Sequence, residues 1–249
     1  MGFQTRTLHE IQGCQVTGIE IDADAASQAR PYCDDILIGN IETMDLDQLL
    51  HDRQFDVITF ADVLEHLRNP TAALHKIRPF LREDGYVLAS IPNIAHCSVI
   101  YEMARGRFEY RSLGLLDNTH IHFFTRQTIY HTFEKAGYLI VSLDRNRVSA
   151  SETEFKTRPE TDEDRQFLEY IAQRNPESET YQFVVKAIPI DNTNTHQSEL
   201  IVAQEQIQLL AQDASLNEKR IRELESNLAW ITSRPSYRFL SSLVRMFKR

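Results

Sequence analysis

The apolar positions of the chain fall into short, dense runs separated by polar, turn-forming stretches. Residues 14–22 (CQVTGIEID) form a β-branched run that ends in acids. Residues 55–60 (FDVITF) are continuously apolar, as a strand covered on both faces would be. Residues 36–38 before the turn Gly39-Asn40, residues 86–91 before Pro92, and residues 139–143 and 181–188 read as further strands. Helices are expected between them. One covers residues 24–30, with Asp22 or Asp24 able to cap it. A second covers 70–81, with Pro70 at its start and a Glu-Asp-Gly turn after it, and a third covers 125–136 and closes on Gly137. Strands alternating with helices predict an α/β fold built on a parallel, doubly wound sheet.

The pattern changes near residue 189. Residues 189–198 form a polar linker, after which Leu200, Ala203, Ile207, Leu210, Ala214, Asn217, Ile221, Leu224, Leu228 and Ile231 step by alternating threes and fours. That spacing is an a/d seam of roughly four and a half heptads. It predicts a coiled-coil helix over residues 199–232 that joins copies of the chain, with Asn217 fixing the register. An amphipathic helix folded back on the domain is the alternative. Residues 233–249 carry Arg234, Arg238, Arg245, Lys248 and Arg249 among aromatic and aliphatic residues, with no acid. Such a tail either lies on an anionic membrane surface or is simply solvated.

At 249 residues, 42% of them hydrophobic, the chain can bury the core of one domain and carry an appendage. Its formal charge of -9, from 27 basic and 36 acidic side chains, argues against a general nucleic-acid binder. Cys14, Cys33 and Cys97 include no C-x-x-C pair, which points away from a disulfide framework or zinc knuckle and toward a reducing cytoplasm. The first thirteen residues mix acids and bases, unlike a signal peptide. No apolar run approaches the ~20 residues that span a bilayer. A soluble, cytoplasmic protein is expected, with peripheral contact at the inner membrane as a further possibility of the tail.

In open α/β sheets, ligands bind beyond the carboxyl ends of the strands. Glu20, or Asp22 as second choice, stands where an acid accepts both hydroxyls of a ribose, a placement that nicotinamide-dependent oxidoreductases share. The series VTGIEID, GNIETMDL, FDVITFADVLEHL and DGYVLASIPN resembles, in order and spacing, the core of class I S-adenosylmethionine-dependent methyltransferases over about residues 2–188. The resemblance implies a Rossmann-like methyltransferase domain over residues 1–188, with seven strands and S-adenosylmethionine lying across their ends. Glu20 would hold the ribose, Asn40 and Ile41 would flank the adenine, and Ala61 and Asp62 would lie beside the methionine portion. Gly2, Ile21 and Glu42 complete the implied cofactor set. Asn40 replaces the family's usual acid. The family's first strand and glycine-rich turn are missing; Gly2 to Leu8 looks like the end of that turn and the helix after it. The absent strand belongs between those at 14–22 and 55–60. Its loss would leave two rows of backbone groups unpaired, at ~1–3 kcal/mol for each buried group. A truncated start or a gene fragment is the expectation.

Asp62, Glu65 and His66 would share one face if they stood on a helix. With His120 or His122 they could bind a divalent cation. Metal-dependent O-methyltransferases of small-RNA ends and of ubiquinone synthesis use a similar E-x-x-E-H cluster, in which the metal engages neighbouring hydroxyls. In methyltransferases without metal, a Glu-His pair at this place packs or caps. His120 and His122 in NTHIHFFT are also candidate general bases, or else residues of a strand-like turn. Arg105, Arg107 and Arg111 form either a lid for an acidic substrate or a solvated basic turn. The stretch GRFEYRSLGLLDNTHIHFFT with a coiled-coil tail is similar to methyltransferases that accompany glycosyltransferases in bacterial surface-polysaccharide synthesis. That likeness implies O-methylation of a glycan or small hydroxylated substrate. A non-catalytic scaffold that oligomerises through its helix is the alternative.

Overall fold

The computed structural model describes residues 6–11 and 13–190, with the isolated positions Arg222 and Ser226 beyond them. Gly2, the heptad seam and the basic tail lie outside the described residues. Strands β1 (Thr17–Glu20) and β2 (Asp35–Ile38) pair in parallel, with Glu20 opposite Ile38. Helix α1 (Ala23–Ala29) connects them. The Asp22 carboxylate caps α1 by accepting from the amides of Asp24 and Ala25 at 2.8 Å. Ala26 and Ala29 bury against Ile36.

The second sheet has the order β3-β4-β6-β5, formed by β3 (Phe55–Ala61), β4 (Leu81–Pro92), β5 (Tyr138–Arg147) and β6 (Thr180–Pro189). β3 runs parallel to β4, whereas β6 is antiparallel to both β4 and β5. The Rossmann-like α/β architecture is therefore built on a mixed sheet, and the expected all-parallel arrangement is corrected. Strand direction has no signature in an apolar run, because burial of successive side chains is the same whichever way the strand points. The Glu-Asp-Gly turn is also corrected. Residues 83–85 lie inside β4 at a register shift opposite Phe55 and Val57, where a Cβ on Gly85 would meet the backbone of Arg82 and Phe55 at 3.0 Å.

Helix α2 (Leu46–Leu50) leads into β3, and α3 (Pro70–Ile77) ends before Pro79, earlier than the pattern predicts. Helix α4 (Cys97–Ala104) follows β4, α5 (Arg126–Lys135) precedes β5, and α6 (Asp162–Arg174) precedes β6. Helices α2, α4 and α6 have no counterpart in the sequence reading. The core gathers Leu74 and Ile77 of α3, Ile129 and Phe133 of α5, and Val87, Ile91, Phe183 and Val185 of the sheet. Ile19 and Leu37 of the small sheet pack against it. β6 ends at Pro189, and Ile190 donates to the Gly137 carbonyl at 2.8 Å, so both residues are tied to the domain rather than to a linker.

Among the described residues no ladder joins β1 to β3; each closes its own sheet. Val57 and Ile58 are half-buried and Thr59 is exposed, although FDVITF reads as a strand covered on both sides. No helix is long and apolar enough to cross a membrane among the described residues.

A satellite cluster of Val99, Leu115 and Leu116, packed on by Phe123, Phe155 and Tyr181, fastens the long connections to the sheet. The Glu154 carboxylate joins them, accepting from Leu115 N at 2.6 Å and from the Tyr181 hydroxyl at 3.1 Å. Gly114 permits this approach. Its φ is +98°, and a Cβ there would lie 2.2 Å from Glu154 Oε1. Gly114→Ala is expected to cost about 1–3 kcal/mol through the left-handed backbone and the displaced carboxylate. Thermal unfolding monitored by near-ultraviolet circular dichroism would register the loss.

Candidate functional site

The carboxyl ends of β1, β2 and β3 carry the residues that the sequence singles out. Glu20 closes β1, and its Oε1 accepts only a local bond from Asp22 N at 3.1 Å. Asp22, the second choice for a ribose, is occupied as the cap of α1, so Glu20 is the available acid. Ile21 and Ile38 stand beside it with 68% and 50% of their surface exposed, an apolar rim at the strand ends. After β2 the chain turns tightly. Asn40 Oδ1 accepts from Glu42 N at 2.8 Å, and the Asn40 carbonyl accepts from Thr43 and Met44 at 3.0 and 2.9 Å. That use of the side-chain oxygen leaves the NH2 of the Asn40 amide as its remaining polar group, a donor. The Glu42 carboxylate accepts from Asn69 N at 2.8 Å and so serves as a stitch to the start of α3.

Beyond Ala61, Asp62 adopts a left-handed backbone with φ of 53°, uncommon for a residue with a side chain. Its carboxylate is fixed by two residues that the sequence reading missed. Ser90 Oγ donates to Oδ1 at 3.1 Å from β4, and Gln182 Nε2 donates to the same oxygen at 2.5 Å from β6. Neither had a local signal, because both reach Asp62 only through strand pairing.

The left-handed Asp62 and the short 3-10 turn Leu64–His66 replace the helix on which Asp62, Glu65 and His66 would share a face. The structure instead gathers Glu65, His66 and His120, whose ligand-type atoms all lie within 4.8 Å of one another. Asp62 and His122 are not part of that set. His122 is turned away, its Nε2 donating to the Arg68 carbonyl at 3.1 Å. His120 is brought in by backbone pairing, because the Glu65 carbonyl accepts from Ile121 N and His122 N at 2.9 and 3.0 Å. His66 Nδ1 donates to the Thr119 carbonyl at 3.1 Å, which leaves the Nε2 lone pair available. The two imidazole rings meet edge to face at 4.8 Å, and His120 Nε2 lies 4.0 Å from Glu65 Oε1.

Glu65 is 1% exposed, and neither carboxyl oxygen has a hydrogen-bond partner. Burial, with smaller contributions from the negative charges of Asp62 and Asp117, pushes its carboxyl up to about 8. Burial, and then the neighbouring His66, holds His120 below the ordinary histidine value. The arginines nearby are engaged elsewhere. Arg107 forms a forked pair with Glu102 at 2.5 and 2.9 Å. Arg105 bonds Tyr101 and Asp164, and Arg111 lies over the Phe155 ring and donates to the Glu154 carbonyl. They staple loops together and do not form the open basic lid considered from the sequence.

A family model described as a methyltransferase domain matches residues 5–143. The ubiquinone biosynthesis O-methyltransferase of Glaesserella parasuis is 35% identical over 88 residues, which cover 32% of this chain and 37% of that protein. The chain thus spans little more than a third of the curated relative it matches. A solved SAM-dependent methyltransferase from Archaeoglobus fulgidus is 17% identical, with a TM-score of 0.48 and coverage of 72% of this chain and 78% of that one. Magnesium protoporphyrin IX methyltransferase from Synechocystis, solved with bound SAH, is 11% identical with a TM-score of 0.47, covering 75% of this chain and 68% of that one.

The raised Glu65 value means that the folded chain keeps this proton to higher pH than the unfolded chain does. In metal-free buffer its contribution to stability should therefore decline as pH rises from about 4.5 to about 8 and level off above. Glu65→Gln, which imitates the protonated acid, is expected to flatten that part of the profile. Melting temperatures of the two proteins across this range provide the measurement, and parallel profiles would contradict the assignment.

Proposed function

Because the chain belongs to the methyltransferase domain family, we propose that it transfers the methyl group of S-adenosylmethionine to an oxygen of a small hydroxylated molecule or glycan. The sulfur–methyl bond breaks as the oxygen–methyl bond forms. S-adenosylhomocysteine departs, and the hydroxyl proton passes to a base. The observation that carries this reading is the placement of Glu20, the Asn40–Met44 turn and Asp62 at the carboxyl ends of β1, β2 and β3. Glu20 would accept both ribose hydroxyls. The Asn40 amide and Ile41 would meet the adenine, while Ala61 and Asp62 would meet the methionine portion.

A sulfonium is already activated, so in-line placement supplies most of the acceleration. What remains for the protein is to receive a proton. His120, kept neutral by burial and adjoining Glu65, is the group assigned to that task. The likeness to an O-methyltransferase of ubiquinone biosynthesis supports oxygen as the acceptor atom. Calorimetric titration of S-adenosylmethionine into the chain should give saturable binding, and Glu20→Ala should weaken it by about tenfold or more. A wild-type chain that binds none would leave a non-catalytic interaction module as the reading.

The buried, unpartnered carboxyl of Glu65 also favours a second component, a divalent cation held by Glu65, His66 and His120. One carboxylate and two imidazoles suit a transition-metal or zinc-like ion. When bound, such an ion would occupy the His120 lone pair in place of the proton, engage adjacent hydroxyls of the acceptor and lower the pKa of the one that reacts, whose proton would then pass to solvent. Manganese titrated into chelator-treated protein should bind one equivalent, with the binding lost in Glu65→Gln. Absence of saturable binding, with activity unchanged by chelators, would leave Glu65 as a buried neutral acid.

A further inference from the structure

The turn that follows β2 is held from outside by one side chain. Lys76, half-buried in the last turn of α3, directs its Nζ to the carbonyls of Ile41 at 2.9 Å, Glu42 at 3.3 Å and Met44. An ammonium has three N–H donors, and here three carbonyls receive them. The other end of the same helix grips the same turn, because Asn69, the cap of α3, donates its amide to the Glu42 carboxylate. The helix is itself a firm base. Ala73, Leu74 and Ile77 are buried in the main core, and the Tyr138 hydroxyl donates to the Leu74 carbonyl at 3.1 Å.

We propose that Lys76 is a positioning residue for recognition of the purine base, fixing the Asn40–Met44 turn so that the Asn40 amide and the Ile41 side chain are presented to it. This inference rests on the cofactor reading above. Its physical content is the partition of the turn's polar groups. Internal bonds from Glu42, Thr43 and Met44 occupy both oxygens of Asn40. The carbonyls of Ile41, Glu42 and Met44 would otherwise have to turn toward other donors, and Lys76 draws all three to the helix side. A planar peptide cannot rotate its carbonyl without rotating the next N–H, so anchoring the Ile41 and Glu42 oxygens also fixes the Glu42 and Thr43 amides that bond Asn40. The side-chain group that Asn40 then has left is its NH2, which matches the adenine N1 acceptor, a nitrogen that carries a proton in inosine.

A merely structural lysine and a positioning lysine make different predictions for ligand discrimination. S-adenosylhomocysteine and S-inosylhomocysteine differ only at the purine edge, so their relative affinity reads the placement of the turn. Titration of both into wild type, Lys76→Met and Lys76→Arg is the experiment, with melting temperatures recorded alongside. Lys76→Met should weaken S-adenosylhomocysteine by about tenfold, with little effect on S-inosylhomocysteine, so that the preference collapses. Lys76→Arg, which can still donate to the carbonyls, should restore most of it. Unchanged affinity in Lys76→Met overturns the proposal, as does an equal loss for both ligands. A wild-type chain that binds neither compound overturns the cofactor reading and this role together.

Discussion

β6 is hydrogen-bonded on both edges, to β4 on one side and β5 on the other, and its first residues reach Asn93, Glu154 and, in the site, Asp62. Tyr181 ties Glu154 and the loop before Leu115 to the sheet, and its carbonyl accepts from Asn93 N at 2.9 Å. Gln182 holds the Asp62 carboxylate. Thr180 and the residues before it are fastened by Asn93, whose side-chain amide donates to the carbonyls of Glu177 and Thr180. Buried Glu177 gathers Arg145 and Thr180. Burial alone would raise its pKa, but the bonds from Arg145 and Thr180 outweigh that and hold the carboxyl below its ordinary value. Pairing of a late strand in the middle of the sheet therefore sets the geometry of residues that lie far earlier in the chain.

The parts of the molecule legible in the sequence are those whose signal is local. Apolar runs marked all six described strands, Gly137 marked the end of α5, and the acid after VTGI marked Glu20. Helix α6 announces itself only through the Thr161–Asp164 capping box, since its outer face is polar and only Ile171 is buried. The antiparallel sense of β6 and the ladder between β4 and β6 depend on partners distant in sequence. For the same reason Ser90 and Gln182 were invisible as partners of Asp62. The metal-type cluster was read in part. Glu65 and His66 are contiguous, but the choice of His120 over His122 is made by two backbone bonds to Glu65 that point alternate side chains to opposite sides.

The site also shows how many apparent candidates are consumed by structure. Asp22 caps a helix, Glu42 stitches two segments, His122 bonds a carbonyl, and Arg105 and Arg107 pair with acids. What remains is a short list: Glu20, the Asn40 amide, Asp62, and the cluster of buried Glu65 with His66 and His120. Unspent capacity for hydrogen bonding is thus a better guide to chemistry than residue type, because a buried polar group without a partner costs stability that packing alone does not recover.

Glu20 and Asp62 stand on separately hydrogen-bonded sheets, one of two strands and one of four. Side-chain packing joins the sheets through Ile19 and Leu37, but no described backbone ladder does so. A molecule held at once by both residues would add a polar bridge that no ladder among the described residues provides. Ligand occupancy and cohesion of the two sheets would then be a single linked equilibrium, with stabilisation that grows as the logarithm of ligand concentration once the site is saturated.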